Sequence, residues 1–311
     1  MGYSIPALYN SRYSTVIPTP QIDYITVDHE AAMFRYAVCN ELFHDRPLEQ
    51  GVREAAALGY TGLEIAPFTL APADAPYANN ITPEMRRSVR RIADDAGLEI
   101  LGLHWLLAKT TGFHLTTRDS EVRGRTANYL GELTQLCADL GGSLMVLGSP
   151  LQRNFSSDMT HDEALENAAD VLKRLVPALE RNRIVVAVEP LGPGEGNFLN
   201  HASQARTLIE QVGSPWVRLH LDVKAMSTEG KPIPDVIREN RDLLAHFHAN
   251  DPNLLGPGMG DVRFEPIFQA LHDISYPGWV SVEVFDYKPG VEKILQESMQ
   301  TMKHAELACS P

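Results

Sequence analysis

Four acidic or imidazole side chains follow one another along the second half of the chain, each near the end of a short apolar run. They are Glu189, Asp222, His248 and Glu283. A charged group at such a position is unfavourable unless it is paired, solvated or bound to a metal ion. Three carboxylates and one imidazole suit Mn²⁺, Mg²⁺ or Co²⁺ better than a metal that prefers thiolates. The residue types predict one divalent metal ion, with Mn²⁺ first among the three; the alternative is four separate polar groups, each satisfied at its own strand end.

The runs that carry these residues belong to a longer series of short apolar and β-branched stretches. Eight are predicted as strands: 34–42, 61–68, 98–107, 142–149, 183–190, 216–223, 244–251 and 278–285. Most are too continuously apolar for half-exposed strands, which indicates a parallel sheet buried on both faces. Amphipathic segments lie between them. In the segment 82–97, Thr82 suits the N-cap and Gly97 the stop, and 163–182 is a second helical pattern.

This alternation predicts an α/β fold, a (β/α)₈ TIM barrel. Eight units of about 35 residues match the roughly 250-residue size of such a barrel. The rival is a doubly wound open sheet, but the chain lacks the GxGxxG motif expected after an early strand. We predict an N-terminal extension over residues 1–33 and a single catalytic barrel over 34–311. The carboxyl ends of barrel strands carry the catalytic groups, so the four side chains are expected to converge.

The segments around these residues resemble the sugar isomerase and epimerase branch of the xylose isomerase-like barrels, above all the ketose 3-epimerases of tagatose and psicose. The segments are VEPLGPGEGNFLN (188–200), HLDVKAM (220–226), HANDPNLLGPGMGDVRF (248–264) and VSVEVFDY (280–287). Intervals of 33, 26 and 35 residues separate the four candidate ligands and match that family closely. Its members bind one divalent metal ion with these four residues, so the resemblance implies the same ligand role here.

The resemblance also implies how the chemistry is shared among the residues. In the epimerases the first and last ligands form the acid–base pair, which implies Glu189 and Glu283, and Glu195 matches a substrate-binding glutamate. The expected reaction is proton transfer next to a carbonyl through a cis-enediolate that the metal stabilises. We expect an isomerase or epimerase of a keto-sugar or a related polyol-derived ketone. A lyase on the same site, by inosose-type dehydration or 3-keto-glycoside cleavage, begins with the same step and stays open.

Two positions depart from the ketose 3-epimerases. Those enzymes have a histidine three residues after the aspartate ligand, where this chain has Ala225. They have an arginine six residues after the histidine ligand, where this chain has Leu254. Both missing groups contact substrate hydroxyls in that family. We therefore expect a substrate whose distal part differs from a free ketohexose.

Further substrate-binding candidates lie near the predicted strand ends. His104 suits a general acid or a substrate ligand, and Trp105 a stacking wall for a sugar ring. Lys224 suits a carboxylate, a phosphate or a ketone, and Glu41 suits substrate hydroxyls. Asn250 contacts substrate or orients the neighbouring histidine. The structural alternatives are core packing for His104 and Trp105, a solvated lysine, an ion pair for Glu41 and loop capping for Asn250.

Two other charged residues have open roles. Glu64, at the end of the second predicted strand, binds hydroxyls or forms a bridge to a lysine. Arg153, in the loop after the fourth strand, holds a distal anionic group or lies on the surface.

The overall composition narrows the range of partners. With 40 acidic and 27 basic residues the formal net charge is −13, which opposes nucleic acid binding and an endonuclease IV-like phosphodiesterase. The 3 cysteines form no CxxC pair, so we expect reduced thiols in a cytoplasmic protein. We expect no signal peptide, because the N-terminus lacks a basic start followed by an apolar run, and no membrane partner, because no apolar stretch approaches roughly 20 residues. The sequence leaves a homo-oligomer and a non-catalytic sugar sensor open.

Overall fold

The computed structural model describes residues 34–309, and within them eight parallel strands close into a barrel in chain order. The strands are β1 Arg35–Cys39, β2 Gly62–Ile65, β3 Glu99–Leu103, β4 Leu144–Leu147, β5 Val185–Val188, β6 Val217–Asp222, β7 Leu244–Ala249 and β8 Trp279–Val282. Each strand pairs with the next, and β1 pairs with β8 to close the barrel. The predicted TIM-barrel fold is confirmed. The extension predicted over residues 1–33 lies outside the described residues.

Helices follow the strands and cover the outside of the barrel. They are α1 Leu48–Ala57, α2 Pro83–Ala96, α3 Ser120–Leu140, α4 His161–Asn182, α5 Ala202–Val212, α6 Val223–Met226, α7 Ile233–Glu239, α8 Glu265–Asp273 and α9 Val291–Ala308. In α2 the Thr82 side chain accepts a hydrogen bond from the Met85 backbone, and Gly97 ends the helix with a φ of 75°. Only glycine adopts that left-handed conformation without strain, so both predicted ends of this helix are confirmed.

The predicted strands extend too far at their carboxyl ends. The first was expected to reach residue 42, but β1 ends at Cys39 and a 3₁₀ turn covers Asn40–Phe43. Glu41 therefore lies in a turn, whereas Glu64 lies inside β2 and not at its end. The predicted sixth strand reaches residue 223, but β6 ends at Asp222, and Val223 and Lys224 lie in the one-turn helix α6. The predicted strands run on into these turns because the side chains of the turn residues are also buried.

The register of the barrel sets the positions of the polar side chains. Asp222 of β6 pairs with His248 of β7, and His248 pairs with Ser281 of β8. Glu189 and Glu283 each follow the last residue of a strand directly. All four predicted ligands therefore lie at the carboxyl end of the barrel, as barrel enzymes place their catalytic groups. No helix within residues 34–309 is long and apolar enough to cross a membrane.

Candidate metal centre

Three of the four predicted ligands come together with a histidine that the sequence analysis did not select. The potential ligand atoms of Glu189, His220, Asp222 and His248 lie within 4.8 Å of one another. All four residues are buried, and the two histidines are fully shielded from solvent. Carboxylates and imidazoles gathered out of water are a donor set that suits a divalent metal ion.

The fourth predicted ligand, Glu283, adjoins this cluster through His248. Its Oε2 lies 3.1 Å from Nδ1 of His248, and its Oε1 accepts a 2.6 Å hydrogen bond from the indole N–H of Trp105. Burial opposes the charged form, but His248 lowers the pKa of the Glu283 carboxyl below its usual value. The structure thus brings all four predicted ligands to one place, with Trp105 orienting Glu283.

His248 is oriented by a carboxylate behind it. Its Nε2 lies 3.2 Å from both oxygens of Glu64, which His246 also contacts through Nε2 at 2.6 Å. Burial alone would raise the pKa of Glu64, but His246 and His248 hold it well below its usual value. A carboxylate on the far nitrogen fixes the ring orientation of a metal-binding histidine. Glu64 therefore contacts two histidines, and neither predicted role, hydroxyl binding or a lysine bridge, describes it.

Asp222 is held by two hydrogen bonds. Its Oδ1 accepts from the backbone N–H of Ala225 at 2.8 Å, and its Oδ2 accepts from the Asn250 side chain at 2.5 Å. Asn250 in turn accepts from the backbone N–H of Lys224 at 2.8 Å. Asn250 thus orients the aspartate, whereas the sequence analysis offered it as a support for the histidine. Burial first, and then the charge of Glu283, raises the pKa of Asp222 to about 6.

The carboxylate of Glu189 fills the space beside the backbone of Gly148. A Cβ placed on Gly148 would overlap its Oε2, so a side chain at 148 would displace the carboxylate from this position. Its backbone carbonyl accepts a 2.6 Å hydrogen bond from Arg153, which is 2% exposed. Arg153 is therefore a buried support of this loop, and of its two predicted alternatives the surface position is wrong. Burial, then the charges of Glu283 and Asp222, raises the pKa of Glu189 well above its usual value.

An aromatic and charged wall borders the carboxylates. The Trp105 ring stacks between Phe68, at 5.8 Å, and Phe285, at 5.9 Å. The Lys224 ammonium lies 4.1 Å from the centre of the Phe285 ring and donates a 2.7 Å hydrogen bond to Glu195. Trp105 also has a φ of 50°, which a non-glycine residue adopts only when its surroundings hold it. Three predicted substrate-binding residues, Trp105, Lys224 and Glu195, thus belong to one continuous wall.

The two remaining substrate-binding candidates, His104 and Glu41, contact each other. His104 Nε2 and Glu41 Oε2 are 2.7 Å apart, and His104 is fully buried while Glu41 is 5% exposed. Cys39, one of three buried free thiols, lies in the same group of potential ligand atoms as these two residues and Glu283. His104 and Glu41 therefore contact each other, and their potential ligand atoms lie close to that of Glu283.

Residues that the sequence analysis missed share a simple signal. His220 lies two residues before Asp222 in β6, and His246 lies two residues before His248 in β7. Side chains two residues apart in a strand point to the same face, so both histidines share the barrel interior with the candidate ligands. Counting back two residues from Asp222 and from His248, which is the period of a strand, would have identified both histidines. Gly148 gives no comparable signal, because its role depends on a residue of the next strand's loop.

Comparison with known proteins assigns the family. The sequence profile described as xylose isomerase-like TIM barrel matches residues 52–305. The chain belongs to this family. A D-psicose 3-epimerase of Enterocloster bolteae is 29% identical over 241 residues, which are 76% of this chain and 76% of that protein. A 3-dehydro-D-guloside 4-epimerase of Escherichia coli is 30% identical over 192 residues, 56% of this chain and 73% of that protein.

Solved structures agree with this assignment at the level of the fold. A D-psicose 3-epimerase crystallised in the presence of D-fructose superposes with a TM-score of 0.73 at 19% identity, covering 88% of this chain and 96% of that one. A 3-keto-D-glucoside 4-epimerase from E. coli gives a TM-score of 0.74 at 21% identity, covering 87% and 99%. The curated relatives carry the names of sugar epimerases and isomerases, so the prediction of an enzyme is confirmed.

Proposed function

We propose that the chain is a divalent-metal-dependent epimerase or isomerase of a keto-sugar, with the ion held by Glu189, Asp222, His248 and Glu283. The observation that carries the proposal is the convergence of these buried side chains at the carboxyl end of β5 to β8. The named relatives support the reaction class, because they include ketose 3-epimerases and a 4-epimerase of a keto-glycoside. The cytoplasmic location stays a prediction.

The donor set fits a divalent ion on its own chemistry. Burial first, and then repulsion from the carboxylates of Glu283 and Asp222, raises the pKa of Glu189, and a cation between the three carboxylates relieves that repulsion. Oxygen donors with an imidazole suit Mn²⁺ first, with Mg²⁺ and Co²⁺ as alternatives. The ion would supply positive charge beside substrate oxygens that become anionic as a proton leaves the neighbouring carbon.

Glu189 and Glu283 are the residues that we assign to proton transfer. They follow β5 and β8, so their carboxylates reach the cluster from either side of β6 and β7. One carboxylate takes the proton from the carbon next to the substrate carbonyl. If the other returns a proton to the opposite face, the carbon is epimerised; return to the neighbouring carbon on the same face gives isomerisation. Trp105 holds Glu283 in place through its 2.6 Å hydrogen bond.

The substrate that fits best is a keto-sugar carrying a further group, such as a keto-glycoside. The side chains of Ala225, which is buried, and of Leu254, which is 41% exposed, carry no hydrogen-bonding atoms. Neither can therefore bind a substrate hydroxyl as the histidine and arginine of the resembled ketose 3-epimerases do. The wall of Phe68, Trp105 and Phe285 instead offers an apolar surface, against which the C–H groups of a sugar ring pack well. We therefore expect kcat/KM on free fructose, tagatose or psicose to be lower than on a keto-glycoside; equal values would contradict this assignment.

The test is incubation of the Mn²⁺-loaded enzyme with candidate ketoses and keto-glycosides in D₂O, followed by NMR. Deuterium at one carbon with an intact skeleton is the expected result. Loss of a group from the neighbouring carbon would instead identify the lyase, which shares the first step. No exchange on any substrate, with the metal bound, would contradict the proposal.

Variants of the two glutamates separate their roles. Glu189→Gln and Glu283→Gln each keep an oxygen donor but remove a proton-transfer group, so turnover should fall by about 10²- to 10⁴-fold. The variant that retains the abstracting carboxylate should still exchange the substrate proton with D₂O without forming product. Metal content is measured in both, with Glu195→Gln as a matched control that leaves the metal in place. Near-normal turnover in both metal-loaded variants would exclude carboxylate catalysis.

A further inference from the structure

His220 is a buried histidine whose ring makes no hydrogen bond to another residue in the described part of the chain. It lies in β6, two residues before Asp222, and its side chain is fully shielded from solvent. Within residues 34–309, neither of its ring nitrogens has a hydrogen-bond partner. Buried polar atoms in folded proteins are almost always paired, so two orphaned nitrogens on one ring require an explanation.

The other histidines of the barrel interior each have a carboxylate partner. His246 contacts Glu64 at 2.6 Å, and His104 contacts Glu41 at 2.7 Å. His220 faces the candidate metal centre instead. Its Nε2 lies 3.7 Å from Oε1 of Glu189, beyond hydrogen-bond distance.

The position of His220 matches that of a ligand. Its ring nitrogen belongs to the same group of atoms, all within 4.8 Å of one another, as the ligand atoms of Glu189, Asp222 and His248. Its ring centre lies 4.2 Å from that of His248, with the two planes at 73°.

We propose that His220 is an additional nitrogen ligand of the metal ion, next to His248. This inference rests on the proposed metal site and deepens it. A bound cation would accept the lone pair that is otherwise orphaned, which explains why a histidine occupies this apolar strand. Two imidazoles in place of one move the preference of the site towards Co²⁺, Ni²⁺ and Zn²⁺ relative to Mn²⁺ and Mg²⁺.

The test compares the full chain with His220→Gln and His220→Met, and uses His246→Gln as the matched control. Gln at 246 keeps an N–H for Glu64 and removes an imidazole from the same layer of the barrel. Each protein is titrated with Mn²⁺ and with Co²⁺ by calorimetry. Pulsed EPR of the Mn²⁺ complex then counts the nitrogen ligands, and circular dichroism confirms folding. Using two replacements at 220 ensures that one badly tolerated side chain does not decide the result.

The expected result is two nitrogen couplings in the parent protein and in His246→Gln, but one in the His220 variants. Co²⁺ affinity should fall about 10- to 100-fold in the His220 variants, and Mn²⁺ affinity should fall less. One nitrogen coupling in the parent, or unchanged Co²⁺ and Mn²⁺ affinities in the folded His220 variants, would overturn the inference while the metal site stands. Absence of metal binding by the parent protein would overturn the proposed function as well.

Discussion

Gly148→Ala is the substitution that most directly probes the position of Glu189. Gly148 follows β4, and an added Cβ would overlap Oε2 of Glu189 and lie 2.8 Å from its Cδ. Ordinary carbon–carbon contacts are about 3.5–4.0 Å, so the carboxylate must swing away. The near atoms belong to the end of one flexible side chain, and the backbone at Gly148 is not in the left-handed region. The fold should therefore tolerate alanine while the site does not.

The size of the effect follows from the displacement. A carboxylate moved on the order of 1 Å from its productive position lowers turnover by about 10²-fold, which corresponds to about 2.7 kcal/mol. Metal affinity should fall as well, because the displaced carboxylate is a proposed ligand. The melting temperature without added metal should change by only a few degrees, since no backbone or core side chain has to move.

The matched control is Gly131→Ala in α3, where the nearest atom to an added Cβ is Ala178 Cβ at 3.8 Å. Alanine in a helix interior is favoured by about 0.5–1 kcal/mol over glycine, so this variant should be as active as the parent and slightly more stable. Mn²⁺ titration, turnover and thermal melting are measured on both variants. Gly148→Ala with Mn²⁺ affinity and turnover within about threefold of the parent would refute the packing argument.

Three other perturbations have defined outcomes. Trp105→Phe keeps the stacking but removes the hydrogen bond to Glu283, so kcat/KM should fall about 10- to 100-fold, in line with about 1.5–3 kcal/mol for a bond to a charged group; an unchanged value would contradict the orienting role. Glu64→Gln should weaken Mn²⁺ binding about 10- to 100-fold, and calorimetry showing no change would rule out its support of the metal site. Because the pKa of Asp222 is raised to about 6, protons compete with the ion below that pH. Apparent Mn²⁺ affinity should therefore fall about tenfold per pH unit as the pH drops below 6, and a constant affinity from pH 7 to 5 would contradict this.

The sequence predicts the centres of the barrel strands well because buried parallel strands are continuously apolar. Their ends are harder to predict. The predicted first strand runs into the turn Asn40–Phe43, where Leu42 and Phe43 are as buried as the strand residues. Apolar residues in a buried turn and in a strand have the same pattern, so periodicity cannot separate them. Helix α2 was predicted with both ends because Thr82 and Gly97 act locally, on backbone within a few residues.

The residues of the candidate site also fall into a group that the sequence predicts and a group that it does not. The four predicted ligands lie at the ends of successive strands, and the order of a TIM barrel alone brings them together. The role of Glu64 depends on pairing across the barrel with His246, 182 residues away in sequence. Arg153 had two predicted alternatives, a distal anion site and the surface, but its side chain is buried and donates a hydrogen bond to the carbonyl of Glu189. Such contacts depend on three-dimensional closure, about which composition and spacing carry no information.

Metal content together with activity before and after chelation is the most direct test of the central claim. The purified full chain is analysed by elemental mass spectrometry, treated with a chelator, and resupplied with Mn²⁺, while substrate-proton exchange is followed in D₂O. The account predicts about one divalent ion per chain, loss of exchange on chelation and recovery on adding Mn²⁺. Full exchange activity in protein that contains no metal would contradict it.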